Sequence, residues 1–409
     1  MILIEDQIIK STDKRYVSLM EMCRWSKDLY NAALYNIRQH FFLSKNDVTV
    51  KYKFLSYVEN WKKLKNTNVF KKLQSHTSQE VLKQVDREFK SFFSLLQRKN
   101  KGEYNSKCHI PHYKDKDGVN VLIYEGTDFT KKFVEQGILK IPKSKIVIKT
   151  KQNKIKQVRI VPKGNHIKVE VLYEIEEKEL LPDNERYASI DFGINNLCSV
   201  ASNCCNSFII NGKPVKSINQ FFNKKKAKLQ RRLKKCQNKN KSKRLTKLTE
   251  KRNRKVKDYF HKASRYIVNQ LVSNQINTLI IGYNKGWKQE VNIGKKNNQK
   301  FVQLPFMMLR DMLSYKCQLN GINVIVTEES YTSKCSFIDN EEIKKKEAYD
   351  GKRTKRGLYR SKNGQLINAD INGSYNIMRK GIKKASLDNK VTYSECRGFV
   401  YNPYKCNLI

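Results

Sequence analysis

Asp191 in YASIDFGINNLCSVAS, the pair Glu328–Glu329 in INVIVTEESYTS and Asp370 in LINADINGSYNIMRK are carboxylates in a chain of formal net charge +45. Asp191 and the glutamate pair each close an apolar, β-branched run, and Asp370 opens a segment with helical spacing. Carboxylates delivered to the tips of neighbouring strands can gather two divalent cations around a phosphodiester. Hard oxygen donors suit Mg²⁺, with Mn²⁺ as a substitute. One ion activates the attacking water and the other stabilises the leaving oxygen, so the chemistry within reach is phosphodiester hydrolysis.

The rest of the composition supplies a matching partner. Lys and Arg number 83 against 38 Asp and Glu in 409 residues, an excess that repels itself unless a polyanion neutralises it. Double-stranded DNA, with about one charge per 1.7 Å of axis, and folded RNA are the natural counterparts. No apolar run of membrane-spanning length and no secretory segment occurs, which points to the cytoplasm and the nucleoid and away from membranes. The ten cysteines are scattered, with no C-x-x-C, and argue against a disulfide framework. Cys108, His109 and His112 form half of a metal motif whose second half never follows.

The elements that must position the acids are multidomain, α+β and α/β. Residues 1–12 read as a strand. Residues 13–105 read as helices, with Thr77–Ser78 as an N-cap and with Phe89, Phe92 and Phe93 as core. Period-two segments over 106–184 predict a small β-barrel or sandwich that the first strand could join, closed by a linker at Leu181–Asn184. Residues 185–329 predict three strands, a basic helical hairpin over 220–270 broken near Gln237–Lys241, a strand ending at Gly282, a helix through Met307–Leu319, and a strand running to the glutamates. A polar, basic insert fills 330–364, a helix 365–385 and a tail 386–409. Roughly half of residues 224–257 are basic, few with an acid at i±4, so Lys224, Lys225, Lys226, Arg231, Arg232, Arg252 and Arg254 are expected to face phosphates. Tyr283, Trp287 and Lys288 are candidates for stacking on single-stranded DNA. No Walker loop, G-x-G-x-x-G or Ser–His–Asp order is present.

Strand–Asp, two strands, helix, strand, helix, strand and a late helix with Asp is the order of an RNase H-like fold. SIDFGINNL, INGKPVKSINQFFNKKKAKLQRRL, IIGYNKGWKQE, ESYTSKCSF and INADINGSYNI resemble TnpB, the transposon-encoded RNA-guided DNA endonuclease related to type V CRISPR effectors. The resemblance implies a helical recognition lobe (13–105), a wedge β-barrel (106–184 with strand 1–12) and a RuvC-like nuclease domain. It also implies a guide (ωRNA) and cleavage of double-stranded DNA beside a short adjacent motif. Asp191 matches the first catalytic carboxylate and Asp370 the third.

Two departures matter. The family usually has Glu where this chain has Gly282. The nearby Fanzor-like subgroup instead uses a later glutamate just before Thr-Ser, which here is Glu329, with Glu328 as fallback and Glu290 as a remote third. A glycine on the intervening strand leaves room for that longer reach. The family's zinc ribbon is also broken: Cys335 survives, but Ile338, Arg360 and Asn363 stand at the other expected positions, so no zinc is expected. Readers of the adjacent motif are sought among Ser78, Gln79 and Gln84, since Gln can pair bidentately with adenine. A nuclease-inactive RNA-guided repressor and a DDE-type transposase remain as alternatives.

Overall fold

The computed structural model describes residues 1–46, 54–237, 242–284, 303–355, 357–385 and 391–408. Trp287, Lys288 and Glu290 lie outside them. The chain divides into two compact units, Met1–Glu176 and Glu177–Ile409.

In the first unit, β1 (Ile2–Lys10) pairs antiparallel with β6 (His166–Glu174), and the sheet runs β1-β6-β5-β2, with β5 Ile155–Lys163 and β2 Leu122–Glu125. The β5–β6 hairpin turns at Gly164–Asn165, where Gly164 has φ +52°. A two-residue turn with positive φ matches the twist of the flanking strands. A separate hairpin joins β3 (Ile138–Lys140) to β4 (Val147–Lys149). Helices Arg15–Asn46 and Ser75–Asn100 share one core with this sheet, which includes Leu34, Val85 and Phe89 from the helices and Val158 and Val169 from the strands. Phe89 is fully buried as expected, and Phe92 and Phe93 pack at its rim.

The helix start is corrected. It begins at Ser75 after Gln74, and Thr77 and Ser78 lie buried inside its first turns. Ser78 Oγ donates to the Phe70 carbonyl at 2.8 Å. Tertiary burial here outweighs the capping preference of a hydroxyl.

The second unit is built on a six-stranded mixed sheet in the order β11-β10-β7-β8-β9-β15. These strands are β7 Tyr187–Phe192, β8 Asn196–Ser202, β9 Phe208–Asn211, β10 Thr278–Gly282, β11 Asn323–Thr327 and β15 Tyr404–Cys406. β10 is parallel to both β7 and β11, while β7, β8 and β9 form an antiparallel meander. Residues 386–409, read as a tail, hold the helix Tyr393–Val400 and then β15, which extends the sheet parallel to β9.

Period two sorts the side chains between two layers. Ala188, Ile190, Phe192, Leu279 and Ile281 face the core made with helices Lys243–Ser273 and Phe306–Gln318. Tyr187 and Ile280 face the core made with helix Ala369–Lys384. Asp191 shares the parity of Tyr187 and Ser189, so it meets that last helix. The basic run folds as helices Lys213–Gln237 and Lys243–Ser273, the second capped by Ser242 Oγ accepting from Leu245 N. A three-stranded antiparallel sheet spans the end of the basic insert and the residues just after it: β12 Lys352–Lys355, β13 Leu358–Arg360 and β14 Leu366–Asn368. The last of these lies where the sequence predicts the final helix to begin; that helix starts at Ala369.

Candidate metal centre

Three parallel strands end side by side. Ile281 pairs with Ile190 and Gly282 with Thr327, so Asp191, Gly282 and the residues after Thr327 share one edge of the sheet. β10 is the middle strand, and its last residue has no side chain. A Cβ built on Gly282 would stand 2.9 Å from Glu329 Oε2 and 2.5 Å from Ile377 Cδ1. The space vacated by glycine is therefore the space that Glu329 enters.

Glu329 and Glu328 diverge. The strand stops at Thr327. Glu328 is 65% exposed in its side chain, takes a hydrogen bond from Ser330 Oγ and pairs with Lys380 at 3.5 Å. Glu329 turns inward: its backbone N donates to Asn284 Oδ1 at 3.0 Å, and Asn284 Nδ2 approaches its Oε1 at 3.5 Å. Its Oε2 is buried with no hydrogen-bond partner. Burial, aided by the charge of Glu328 and opposed by Lys380, pushes the Glu329 carboxyl up to about 7.

Asp191 responds to the same crowding. Burial first, then the charges of Glu329 and Asp370, hold its carboxyl well above the usual carboxylate range, with Arg353 pulling the other way. Helix Ala369–Lys384 lies flush on this aspartate because Gly373 faces it: a Cβ there would be 3.2 Å from Asp191 Oδ2. Two serine bonds clamp the helix to the sheet, from Ser189 Oγ to the Ser374 carbonyl (2.6 Å) and from Ser374 Oγ to the Ser199 carbonyl (2.7 Å).

Asp370 sits in the first turn of that helix and is not its cap. Asn368 caps it, its side chain accepting from the backbone N of Asp370 and of Ile371. This leaves the Asp370 carboxylate for other partners: Asn196 Nδ2 donates to Oδ2 at 2.7 Å and Arg353 Nη2 to Oδ1 at 2.9 Å. Among the described residues no three His, Cys, Asp or Glu side chains close on one point at ligating distance. Asp370 is turned onto a guanidinium and an amide instead. The donor chemistry nonetheless fits a hard cation: a buried carboxylate oxygen lacks a partner, and the charges of Glu329 and Asp370 raise the proton affinity of Asp191.

Residues that sequence reasoning passed over hold this arrangement together. Asn372 and Asn376, one helical turn apart and fully buried, clip the loop after Glu329 to the helix bearing Asp370. Asn372 Nδ2 donates to the Cys335 carbonyl (2.9 Å) and its Oδ1 accepts from Phe337 N (2.9 Å). Asn376 Nδ2 donates to the carbonyls of Thr332 (2.9 Å) and Cys335 (2.8 Å). The signal was present in ADINGSYNI as asparagines at i and i+4. Arg353, by contrast, carries no local signal in a lysine-rich insert. Within that insert, Cys335 is buried with its thiol 3.5 Å from the Glu342 carbonyl, Ile338 is core, and Arg360 and Asn363 are exposed.

The remaining expected contacts fall in several places. Lys224, Lys225, Arg231, Arg232 and Arg254 are exposed on the two basic helices, and Lys226 is partly buried. Arg252 is partly buried, its Nε bonded to Asn219 Oδ1 at 2.7 Å and its Nη2 to the Gln303 carbonyl at 2.6 Å. Tyr283 follows β10, with the Arg310 guanidinium 4.8 Å from its ring centre. In the first unit, the expectation that Ser78 reads bases is overturned, because the side chain is fully buried and bonded to its own chain. Gln79 bonds Ser75 and Tyr57, and Gln84 bonds Glu88 and Asn120, so both amides already have partners within the unit.

Residues 170–288 match a family described as "Probable transposase" (OrfB_IS605), and residues 306–377 match one described as "Cas12f1-like, TNB domain". Asp191 falls in the first match, and Glu329 and Asp370 fall in the second. A TnpB-like protein, ORF457 of Acidianus two-tailed virus, is 23% identical over 413 residues, covering 89% of this chain and 83% of that protein. Among solved structures, a Cas12f1–sgRNA–target DNA complex has TM-score 0.34 and 14% identity, covering 92% of this chain and 98% of that one. A CRISPR–Cas12f ternary complex has TM-score 0.37 and 12% identity, with 88% and 80% covered. The two family matches and the viral relative support a TnpB-like identification of this chain.

Proposed function

We propose that this TnpB-like chain is an RNA-guided DNA endonuclease. In this reading the six-stranded sheet is a RuvC-type, RNase H-like nuclease core, and the first unit is a recognition lobe with its wedge. The observation that carries the reading is the buried, partnerless Glu329 Oε2, lodged against Gly282 on the strand beside Asp191. A carboxylate costs free energy in such a place unless a cation joins it. Asp191, Glu329 and Asp370 would hold two Mg²⁺ ions, which supply an activated water and a stabilised leaving oxygen.

The chain's own residues do the positioning. Asn284 fixes the backbone of Glu329, Asn196 orients one oxygen of Asp370, and Asn372 with Asn376 keeps the loop after Glu329 seated on the helix that carries Asp370. Guide RNA and double-stranded DNA are the partners that the +45 charge calls for. Base pairing with the guide would select the target, and the protein would read a short flanking duplex. The degenerate ribbon, with Ile338, Arg360 and Asn363 where thiols would be needed, would work without zinc.

The test is plasmid cleavage by purified protein with its co-purifying RNA in Mg²⁺. Asp191→Ala should abolish cutting, and RNase treatment beforehand should abolish site-specific cutting by the wild type. Cleavage that survives Asp191→Ala removes the proposed centre; undiminished specific cutting after RNase removes the guide. A second reading, an RNA-guided binder that does not cut, is favoured by the Arg353–Asp370 pair, which sets a protein cation on one of the three acids. Target binding without nicking by the wild type would select it.

A further inference from the structure

Between the two basic helices of the second unit lies a cleft of about 270 Å³, apart from the carboxylate centre. Its apolar part is made by Ile218, Phe221, Phe222 and Leu248, and its rim by Lys251 and Lys255, with no acidic residue in its lining. Phe221 is 60% exposed although it stands at the head of the most basic stretch in the chain. Phe222, the next residue, is buried, with Arg252 5.7 Å from its ring centre. Arg252 is fixed by Asn219 and the Gln303 carbonyl, so it forms a rigid wall of the cleft. Lys225 Nζ lies 5.7 Å from the Phe221 ring centre.

An exposed aromatic face costs free energy in water unless something flat covers it. Its surroundings specify that something. The neighbours are cationic, which opposes a basic partner and favours one that carries negative charge beside its apolar part, and the volume falls just under the ~300 Å³ at which small-molecule pockets begin. A single ring fits, attached to a chain of negative charges. Stacking platforms beside basic grooves are how proteins hold unpaired bases.

We propose that this cleft takes one unpaired nucleotide of a single-stranded polynucleotide, with its base stacked on Phe221 and its flanking phosphates on Lys251 and Lys255. The site rests on the nucleic-acid reading given above but requires neither metal nor cleavage. Guide and target share this chemistry, and the test distinguishes them.

The experiment uses the full-length chain and short fluorescent oligoadenylates, ribo and deoxyribo, compared with an abasic strand of equal length and charge and with a blunt duplex. Wild type should hold base-bearing single strands more tightly than the abasic strand. Phe221→Ala should weaken them by about 5- to 150-fold and leave the abasic strand unchanged, while Phe221→Trp should retain the affinity. Lys251→Gln with Lys255→Gln should weaken all strands and flatten the salt dependence by about 1.4, or ~0.7 per lost phosphate contact. Preference for the ribo strand assigns the cleft to the guide, and preference for the deoxyribo strand to the target. Equal affinity for abasic and base-bearing strands, unchanged binding by Phe221→Ala, or the same Phe221 dependence with blunt duplex overturns the proposal. The strands are titrated in EDTA, so binding is read without any contribution from the carboxylate centre. A failed cleavage assay therefore leaves the cleft standing, and a failed stacking assay leaves the nuclease centre standing.

Discussion

Replacing Glu329 with Gln removes one charge from a place that resists charge, and its effect on stability can be worked out. Burial raises the Glu329 carboxyl from its ordinary 4.5 to about 7. An acid whose folded pKa exceeds its unfolded one grips its proton harder in the folded state. The metal-free fold therefore loses stability as pH climbs from about 4.5 towards 7, and the loss is complete above that. At 1.36 kcal/mol per unit the loss is about 3 kcal/mol. Glu329→Gln escapes it and also relieves Asp191, whose proton affinity the Glu329 charge raises. In EDTA at pH 8 the variant should unfold about 6–12 °C above wild type, at roughly 2–4 °C per kcal/mol for a unit of this size. At pH 5, where wild-type Glu329 is already protonated, the gap should close. Saturating Mg²⁺ at pH 8 should raise wild type and leave Glu329→Gln almost unmoved. Thermal unfolding by circular dichroism reads all three conditions. A gap of equal size at pH 5 and pH 8 would show that Glu329 is not a buried ionisable group, and the reasoning about the centre would fall with it.

Other consequences follow from the same geometry. Because Glu329 and Asp191 hold protons more tightly than ordinary carboxyls, Mg²⁺ binding near pH 6.5 should release protons, seen by titration calorimetry in buffers of different ionisation enthalpy, with fewer released by Glu329→Gln. Gly282→Ala should cost about 1–3 kcal/mol by overpacking and weaken Mn²⁺ binding, since its Cβ would meet Ile377 and Glu329; paramagnetic resonance titration of Mn²⁺ measures the second effect. Arg353→Ala should change stability by less than about 1 kcal/mol, the pair being partly exposed, but should raise Mn²⁺ affinity by freeing Asp370; a fall in affinity would make Arg353 a support for that carboxylate instead of a rival for the cation. Asn376→Ala should cost about 1–3 kcal/mol, because the Thr332 carbonyl would lose its buried donor.

The strands carrying Asp191 and Gly282 and the strand before the glutamates were legible because β-branched runs leave few other readings, and their order was what the RNase H-like resemblance implied; the last strand, read as running to Glu329, stops at Thr327. The choice of Glu329 over Glu328 was legible only in part. Alternation says that the two must diverge, but the residue where the strand stops decides which turns inward. The asparagine clip and the Arg353 contact were not legible, since each joins residues 17 to 44 positions apart through side chains with no periodic pattern. β15 was missed for a related reason. Tyr404–Cys406 is too short to show a period, and it becomes a strand only because β9 offers an open edge. The false cap at Thr77–Ser78 is the converse case, a local signal overruled by burial against Phe70.

The charge pattern reads differently once the Arg353–Asp370 pair is in view. In a chain of 83 basic residues, scattered acids would be expected to find lysine or arginine partners by proximity alone. Asp370 does so, and Glu328 does so through Lys380. Glu329 does not: its second oxygen stays buried and unbonded beside a glycine, although cations are plentiful in the sequence. Leaving a buried acid unpaired costs stability, and a single substitution to Gln would remove that cost. On the proposed reading, this oxygen is the one that a cation from outside the chain would take.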